Sequence, residues 1–317
     1  MKSLFLSSLL ALGLLAVPAQ AAEYPAKPIT LMTAFNAGGG SDVSHRLLEK
    51  FAKGVFDQPI VVTYKAGAGG EIGWTWLVGA KADGYNIGGV DLPHIVLQPM
   101  LRPEGQPGYK TEQLNPLCCL VFDPDILIVS EKSPFKSFGE LIEYAKANPG
   151  KVKVATVGKL TGDHLFLMQI EKLTGAKFTQ VPYSGSGKAI PALLSGEVDA
   201  YFGSGSSFLR MEKTRGLAIG SKERYELCPD VPTFIEQGYA IESGKYRGLA
   251  TPQNIPAEAR QYLETKFAEL CANPEYQKAV KSSGLMPQFQ TGKAFGEIIR
   301  TEGEQAKKIL EAYGLLK

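Results

Sequence analysis

The chain has 317 residues, of which 44% are hydrophobic, and its formal net charge is +2. This length allows two compact domains, each with its own hydrophobic core. The lysines and arginines are scattered rather than clustered, which excludes the basic surface typical of nucleic-acid-binding proteins. We therefore predict no nucleic-acid partner.

The N-terminus has the pattern of a targeting segment. Lys2 precedes an apolar run over residues 4–17, and Ala19-Gln20-Ala21 is a small-x-small cleavage site. The run is too short to span a bilayer comfortably. We predict a signal peptide over residues 1–21 and a mature protein that is exported and soluble in the periplasm. The alternative is an N-terminal anchoring helix.

The chain contains four cysteines: Cys118, Cys119, Cys228 and Cys271. Four cysteines permit three complete pairings, and the sequence does not choose among them. A Cys228–Cys271 disulfide and four free, buried thiols are both compatible with the pattern. There is no Cys-x-x-Cys pair and the three histidines lie far apart, so we predict no metal site and no cofactor.

Two glycine-rich loops, residues 35–42 and 64–71, follow apolar β-type runs and precede segments with helical spacing. Ser41 or Asp42 is the predicted N-cap of the first helix, because its side-chain oxygen can accept from the first free N–H groups. Backbone N–H groups and the helix dipole both favour an anion at such a position. We predict that the two loops together hold a small carboxylate.

Strand, loop and helix alternate along the rest of the chain. Ser137 and Glu140 have the spacing of a capping box. Apolar runs over residues 117–122 and 125–130 predict two buried strands. Three helices are predicted after residue 255, the last two over residues 274–282 and 293–313. We predict an α/β fold with two lobes, each a mainly parallel sheet flanked by helices, with the ligand in the cleft between them.

Catalytic and nucleotide-binding patterns are missing from the sequence. Gly187-Lys188 resembles the end of a P-loop, but Pro182 and Ala189 stand where the motif requires Gly and Ser or Thr. There is no G-x-S-x-G elbow. The candidates for acid–base chemistry are Asp42, Asp91, Asp163 and His164. An enzyme acting on organic acids is therefore the weaker alternative.

Several motifs occur in an order and spacing that resemble one known family. They include residues 35–46, 65–73, 82–85, 145–150, 181–185, 192–199, 230–233 and 248–256. The chain resembles the Bug or TctC-type substrate-binding proteins of tripartite tricarboxylate transporters over essentially its whole mature length. The resemblance implies a type II-like periplasmic binding protein fold. We assign residues 22–124 and 243–317 to the first lobe and residues 125–242 to the second.

The resemblance also implies how the ligand is held. The two opening loops would bind a carboxylate through backbone groups and water, and loops of the second lobe would close over it. With the residues singled out above, the predicted substrate-binding set is Phe35, Ala37, Gly39, Gly40, Ser41, Asp42, Ala68, Gly69, Thr161, Gly162, Asp163, Ser184, Ser186, Ser204 and Arg247.

The chain departs from the family pattern at three places. Asp163 stands where a small residue is usual, which favours a ligand with a donor group. Arg247 follows Tyr246 where a Trp is usual. As a strand residue Arg247 is expected to face solvent; if it faces the cleft, it can bind a second carboxylate bidentately. The third departure is Asp91-Leu92-Pro93-His94, and the sequence leaves open whether Asp91 faces the cleft.

The predicted function is capture of a mono-, di- or tricarboxylate, aromatic acids included, for delivery to the membrane permease subunits of a tripartite transporter. We expect the protein to act as a monomer. A sensor that signals to a membrane receptor is a further alternative that the sequence leaves open.

Overall fold

The computed structural model describes residues 23–103, 106, 108–159 and 161–316. The predicted signal peptide, residues 1–21, lies outside the described residues. The described strands are β1 Ile29–Thr33, β2 Ile60–Tyr64, β3 Asn86–Asp91, β4 Leu114–Ser130, β5 Lys153–Thr156, β6 Thr179–Pro182, β7 Ala200–Ser204, β8 Thr214–Ile219, β9 Gly244–Pro252 and β10 Met286–Thr291. The described α-helices are α1 Gly40–Ala52, α2 Glu71–Val78, α3 His94–Leu101, α4 Phe138–Ala147, α5 Gly162–Thr174, α6 Ser186–Ser195, α7 Gly205–Phe208, α8 Ala257–Ala272, α9 Pro274–Ser282 and α10 Gly292–Ala312.

The strands follow the order β2-β1-β3-β9-β4-β7-β5-β6, with β10 and β8 also paired to β4. Pairing is parallel between β1 and its neighbours β2 and β3, and between β5 and its neighbours β6 and β7. Pairing is antiparallel wherever β4 or β9 takes part. The two-lobed α/β prediction is confirmed, but each sheet is mixed rather than mainly parallel, because these two crossing strands run against their neighbours.

Strand β4 passes through both lobes. The sequence predicts two strands in this region, yet residues 114–130 form one strand of 17 residues. Its first part pairs with β9 and β10 in the first lobe, and the part from Asp125 onward pairs with β7 and β8 in the second lobe. At this point β4 lies beside the segment that enters β9, because the Ser243 carbonyl accepts from the Asp125 N–H at 3.0 Å.

Helices cover the sheets on both faces. In the first lobe, α1, α8 and α9 bury residues such as Leu48 and Phe267 on one face, while α2, α3 and α10 bury Trp74 and Phe295 on the other. The second lobe has a similar pair of clusters. Fully burying one such large apolar side chain contributes about 1.5–3 kcal/mol. The Trp74 indole N–H donates to the Gly89 carbonyl at 3.0 Å, so its burial leaves that donor satisfied.

The four cysteines are free and buried. The Cys228–Cys271 disulfide considered from the sequence is therefore wrong. Cys271 packs in the core of the first lobe and Cys228 in that of the second, so the fold keeps them apart. Burial raises the pKa of the Cys271 thiol to about 12 and that of Cys228 to about 11, which makes these thiols poor nucleophiles.

Among the described residues, no helix is both long enough and apolar enough to cross a membrane.

Candidate functional site

A cavity lies between the two lobes, where several helices begin. Its volume is about 30 Å³, compared with roughly 10–15 Å³ for one enclosed water. The space between the lobes therefore holds only a few atoms. The lining residues are Phe35, Asn36, Gly39, Gly40, Ser41, Asp91, His94, Val157, Asp163, Gly185, Ser186, Tyr201, Gly203, Ser204, Lys245 and Arg247.

The N-terminus of α1 forms one wall of the cavity. The helix begins at Gly40 with Gly39 as N-cap, so the predicted caps Ser41 and Asp42 are wrong. Their side chains have other partners. The Ser41 hydroxyl donates to Asp91 and accepts from Arg247, each at 2.8 Å. A glycine N-cap leaves the N–H groups of the first helical turn without a side-chain partner.

Arg247 lies inside the cleft and not in solvent, which corrects the expectation for this strand residue. It is 6% exposed. Its guanidinium donates to Asp91 and, at 3.0 Å, to Asp123. Burial opposes the charged form, but the two carboxylates offset that cost and keep the pKa of Arg247 above its ordinary value. Arg247 is therefore already neutralised by protein groups.

Lys245 faces the same cleft, two residues before Arg247 on β9. Its ammonium forms an ion pair with Asp125 and lies 2.9 Å from Asp163 Oδ1. Burial disfavours the charge, and the Asp125 and Asp163 carboxylates more than offset it, so the pKa of Lys245 is raised. Because Asp163 begins a helix of the second lobe and Lys245 lies in the first, this ion pair joins the lobes.

The charges in this cluster do not cancel by themselves. Two cations, Lys245 and Arg247, face four carboxylates: Asp91, Asp123, Asp125 and Asp163. The N-terminal residues of α1, α3, α5 and α6 all line the cavity. Each helix N-terminus is equivalent to about +0.5 charge. The four helix dipoles therefore offset much of the excess negative charge.

His94 lines the cavity and packs edge-on against Phe35, with ring centroids 5.6 Å apart. It is 1% exposed. Within the described part of the chain, neither of its ring nitrogens has a hydrogen-bond partner. Burial lowers the pKa of His94 to about 4, with the nearby Asp163 opposing that shift. The imidazole is therefore neutral at pH 7 and has both a donor and an acceptor available.

We expect stability to fall as the pH drops from about 6.5 towards 4. His94 and the equally buried His45 have pKa values of about 4 in the folded protein but an ordinary value in the unfolded chain. The unfolded state thus binds more protons in this window, which costs about 2 kcal/mol per histidine at pH 5. Denaturant titrations of the wild type and His94→Asn at pH 7.5 and pH 5 measure the difference. The variant should lose about 2 kcal/mol less than the wild type, and equal losses would contradict this explanation.

Eight of the predicted site residues line the cavity: Phe35, Gly39, Gly40, Ser41, Asp163, Ser186, Ser204 and Arg247. The other seven lie elsewhere. Asp42 accepts from the Gly38 N–H and from the Tyr64 hydroxyl, outside the cavity. Ala37 and Ser184 are exposed and do not line the cavity. Ser184 Oγ accepts from Asn36 Nδ2 at 2.9 Å across the two lobes.

The second glycine loop packs beside the cavity and does not line it. Ala68 is exposed. A Cβ atom on Gly69 would lie 2.4 Å from Gln98 Nε2 and 3.1 Å from Thr161 Cγ2. Thr161 donates to the Gly158 carbonyl, and a Cβ on Gly162 would meet Pro93 at 2.8 Å. Gly69, Thr161 and Gly162 thus belong to an inter-lobe contact next to the site, whereas Ala68 lies on the surface.

Lys245, Tyr201 and Val157 were missed among the lining residues. Asn36, Gly185 and Gly203 lie in loops noted in the sequence, and Asp91 and His94 were noted as well, but none of these five was assigned to the site. The Tyr201 hydroxyl donates to Ser186 Oγ at 2.8 Å. One usable signal was the alternation Lys245-x-Arg247 together with Asp123-x-Asp125 in apolar strands. Charged residues spaced by two point to the same face of a strand, and a buried charge needs a partner.

A family model described as the tripartite tricarboxylate transporter family receptor matches residues 45–315. The chain belongs to this family. BugT of Bordetella pertussis is 34% identical over 286 residues, covering 87% of this chain and 86% of BugT. The TctC-type resemblance inferred from the motifs is thus confirmed.

Solved structures agree with the TctC assignment. The periplasmic binding protein BugD is 26% identical, covers 93% of this chain and 100% of its own, and superposes with a TM-score of 0.85. MatC from Rhodopseudomonas palustris, solved with bound malate, is 23% identical over 90% of this chain and 100% of its own, with a TM-score of 0.84. At this level of identity, the likeness to MatC shows only a shared fold, not a shared function. The family is one of transporter receptors and BugD is a periplasmic binding protein, so the prediction of a solute-binding protein rather than an enzyme agrees with both.

Proposed function

We propose that this protein captures a small carboxylate between its lobes and delivers it to the permease of a tripartite transporter. The observation that carries the proposal is the convergence of four helix N-termini on one cavity between the lobes. Free backbone N–H groups and aligned dipoles at such ends favour an anion without requiring a dedicated cation. This matters here because both buried cations are already paired with aspartates.

The walls of the site come from both lobes. A Cβ atom on Gly39 of the first lobe would lie 3.8 Å from Ser186 Oγ of the second. A carboxylate between the α1 and α6 N-termini would therefore contact both lobes and favour the closed state. Differential binding to one state is the requirement for a ligand-driven closure. MatC, which shares this fold, was solved with malate, and that likeness supports a small acid as the ligand.

We propose the lobe boundaries near residues 124 and 243, where β4 and the chain entering β9 cross side by side. Paired crossings of this kind can act as a hinge with few contacts to break. We further propose export to the periplasm through the signal peptide at residues 1–21, and action there as a monomer that docks on the permease in its closed form.

A thermal-shift screen tests the ligand class. Mono-, di- and tricarboxylates are compared with neutral amides of the same carbon skeleton, for example succinate with succinamide. A ligand at 100 times its Kd stabilises the folded form by about 2.7 kcal/mol, which raises Tm by several degrees. The proposal fails if no acid raises Tm, or if the neutral amides raise it equally.

Delivery to the permease needs a cellular measurement. Cells lacking the gene for this protein should lose uptake of the acid that raised Tm, and the wild-type gene should restore it. Uptake that persists in the deletion strain would contradict the transport role while leaving ligand binding intact.

A further inference from the structure

The four aspartates of the cluster differ in how many hydrogen bonds their carboxylates accept from protein groups. Asp123 accepts from the Ser206 N–H at 2.9 Å, the Ser206 hydroxyl at 2.6 Å and Arg247 at 3.0 Å. Asp125 is held by Lys245 and by the Ser243 hydroxyl. Both carboxylates lie behind the cavity wall and have their acceptors filled by protein groups.

Asp91 and Asp163 are different, because both line the cavity. Asp163 Oδ2 accepts from the Val157 N–H at 3.1 Å. Its Oδ1 lies 2.9 Å from Lys245 Nζ but makes no hydrogen bond within the described part of the chain. Asp91 Oδ1 accepts hydrogen bonds from both Ser41 and Arg247, and no described group donates to Asp91 Oδ2. Each aspartate therefore presents acceptor capacity to the bound molecule.

The two buried cations of the site are already occupied by protein carboxylates. Lys245 and Arg247 are each placed between two carboxylates, so neither is available as the main partner of an incoming acid. A ligand that carries only carboxylates would bring further negative charge beside Asp91 and Asp163. Like charges at such distances in a poorly solvated site repel strongly.

Resting on the proposed function, we infer that the ligand carries a protonated amine next to its carboxylate, as a small amino acid does. The carboxylate occupies the α1 and α6 N-termini, and the ammonium donates to Asp163 and Asp91. The buried, unpaired nitrogens of His94 border the same space and complete a set of donors and acceptors that a zwitterion can satisfy. The small cavity volume favours a compact molecule.

Matched ligand pairs that differ only in the amine test this inference. Propionate is compared with alanine, succinate with aspartate and glutarate with glutamate, using titration calorimetry on the mature wild-type protein. At least one amino acid should bind about 10- to 100-fold tighter than its partner, as charge-assisted hydrogen bonds to buried carboxylates suggest. N-acetylation of that amino acid should abolish the advantage.

The variant Asp163→Asn tests whether the Asp163 carboxylate binds the ligand amine. It keeps the side-chain size but removes the charge, so the ratio of affinities between the amine-bearing member and its des-amino partner should fall at least tenfold, whatever the change in the affinity common to both. If this variant does not fold, the N-acetyl comparison on the wild type decides. Equal or tighter binding of the des-amino acids in every pair overturns the inference and leaves the carboxylate proposal standing. Failure of both members of every pair, together with a negative carboxylate screen, overturns both.

Discussion

Replacing Arg247 with methionine is expected to lower the free energy of unfolding by about 3–5 kcal/mol and to abolish ligand binding. The substitution keeps much of the side-chain volume but leaves Asp91 and Asp123, both 2% exposed or less, without their shared cation. Two uncompensated carboxylates in a poorly solvated site are costly because their solvation is not replaced. Denaturant titration followed by circular dichroism measures the change.

Arg46→Met is the matched control for this loss. Arg46 also pairs with carboxylates, at 2.7 Å from Glu49, but its side chain is 47% exposed. Exposed ion pairs contribute at most about 1 kcal/mol, so this variant should stay close to the wild type. Adding Asp91→Asn to Arg247→Met should recover part of the stability, since one unpaired charge is removed. An Arg247→Met protein as stable as the wild type would mean that the two aspartates are not both ionised.

Gly40→Ala is expected to weaken ligand affinity at least tenfold. A Cβ atom at this position would lie 2.7 Å from Arg247 Nη2 and 3.0 Å from Asp123 Oδ2. Arg247 is fixed by its carboxylates, so the clash moves either the guanidinium or the first turn of α1, and both border the cavity. Overpacking of this kind also costs typically 1–3 kcal/mol of stability. Calorimetry with the best ligand from the carboxylate screen, together with denaturant titration, measures both effects.

Gly139→Ala provides the comparison, because Gly139 is also in the first turn of a helix. Its nearest atom to an added Cβ is Ser137 Oγ, 3.9 Å away. Alanine has the higher helix propensity by about 1 kcal/mol, so this variant should be as stable as the wild type or slightly more so, with unchanged affinity. If Gly40→Ala behaves like Gly139→Ala, the close approach of α1 to Arg247 does not matter for binding.

Local signals in the sequence predicted much of the element order. Helix α9 begins at Pro274 and ends at Ser282, as predicted. The Ser137 side chain caps α4 by accepting from the Glu140 N–H at 3.2 Å, while Glu140 reaches the Lys136 N–H instead of that of Ser137. These features depend on residues a few positions apart, so propensity and spacing are sufficient to predict them.

Features that depend on distant partners were harder to predict. Strand β10 was missed because Met286–Thr291 is only half-buried, and its pairing partner in β4 lies more than 160 positions earlier in the chain. Arg247 was expected in solvent because a charged residue in a strand usually avoids the core. Its burial depends on Asp91, 156 positions away, and on Asp123. No local sequence pattern predicts that Arg247 pairs with these aspartates.

The sequence by itself determined the family, through the order and spacing of its motifs. It also determined the alternation of strands and helices in two α/β lobes and the position of the first glycine loop at a helix start, because backbone geometry and hydrophobic periodicity act over short distances. Only the tertiary structure decided which side chains meet in the cleft. It placed the first glycine loop in the cavity wall and the second beside it, and it paired both buried cations with aspartates from other strands and helices. The balance of charge around the ligand is a sum over groups far apart in the chain, so it exists only once the lobes are folded and closed.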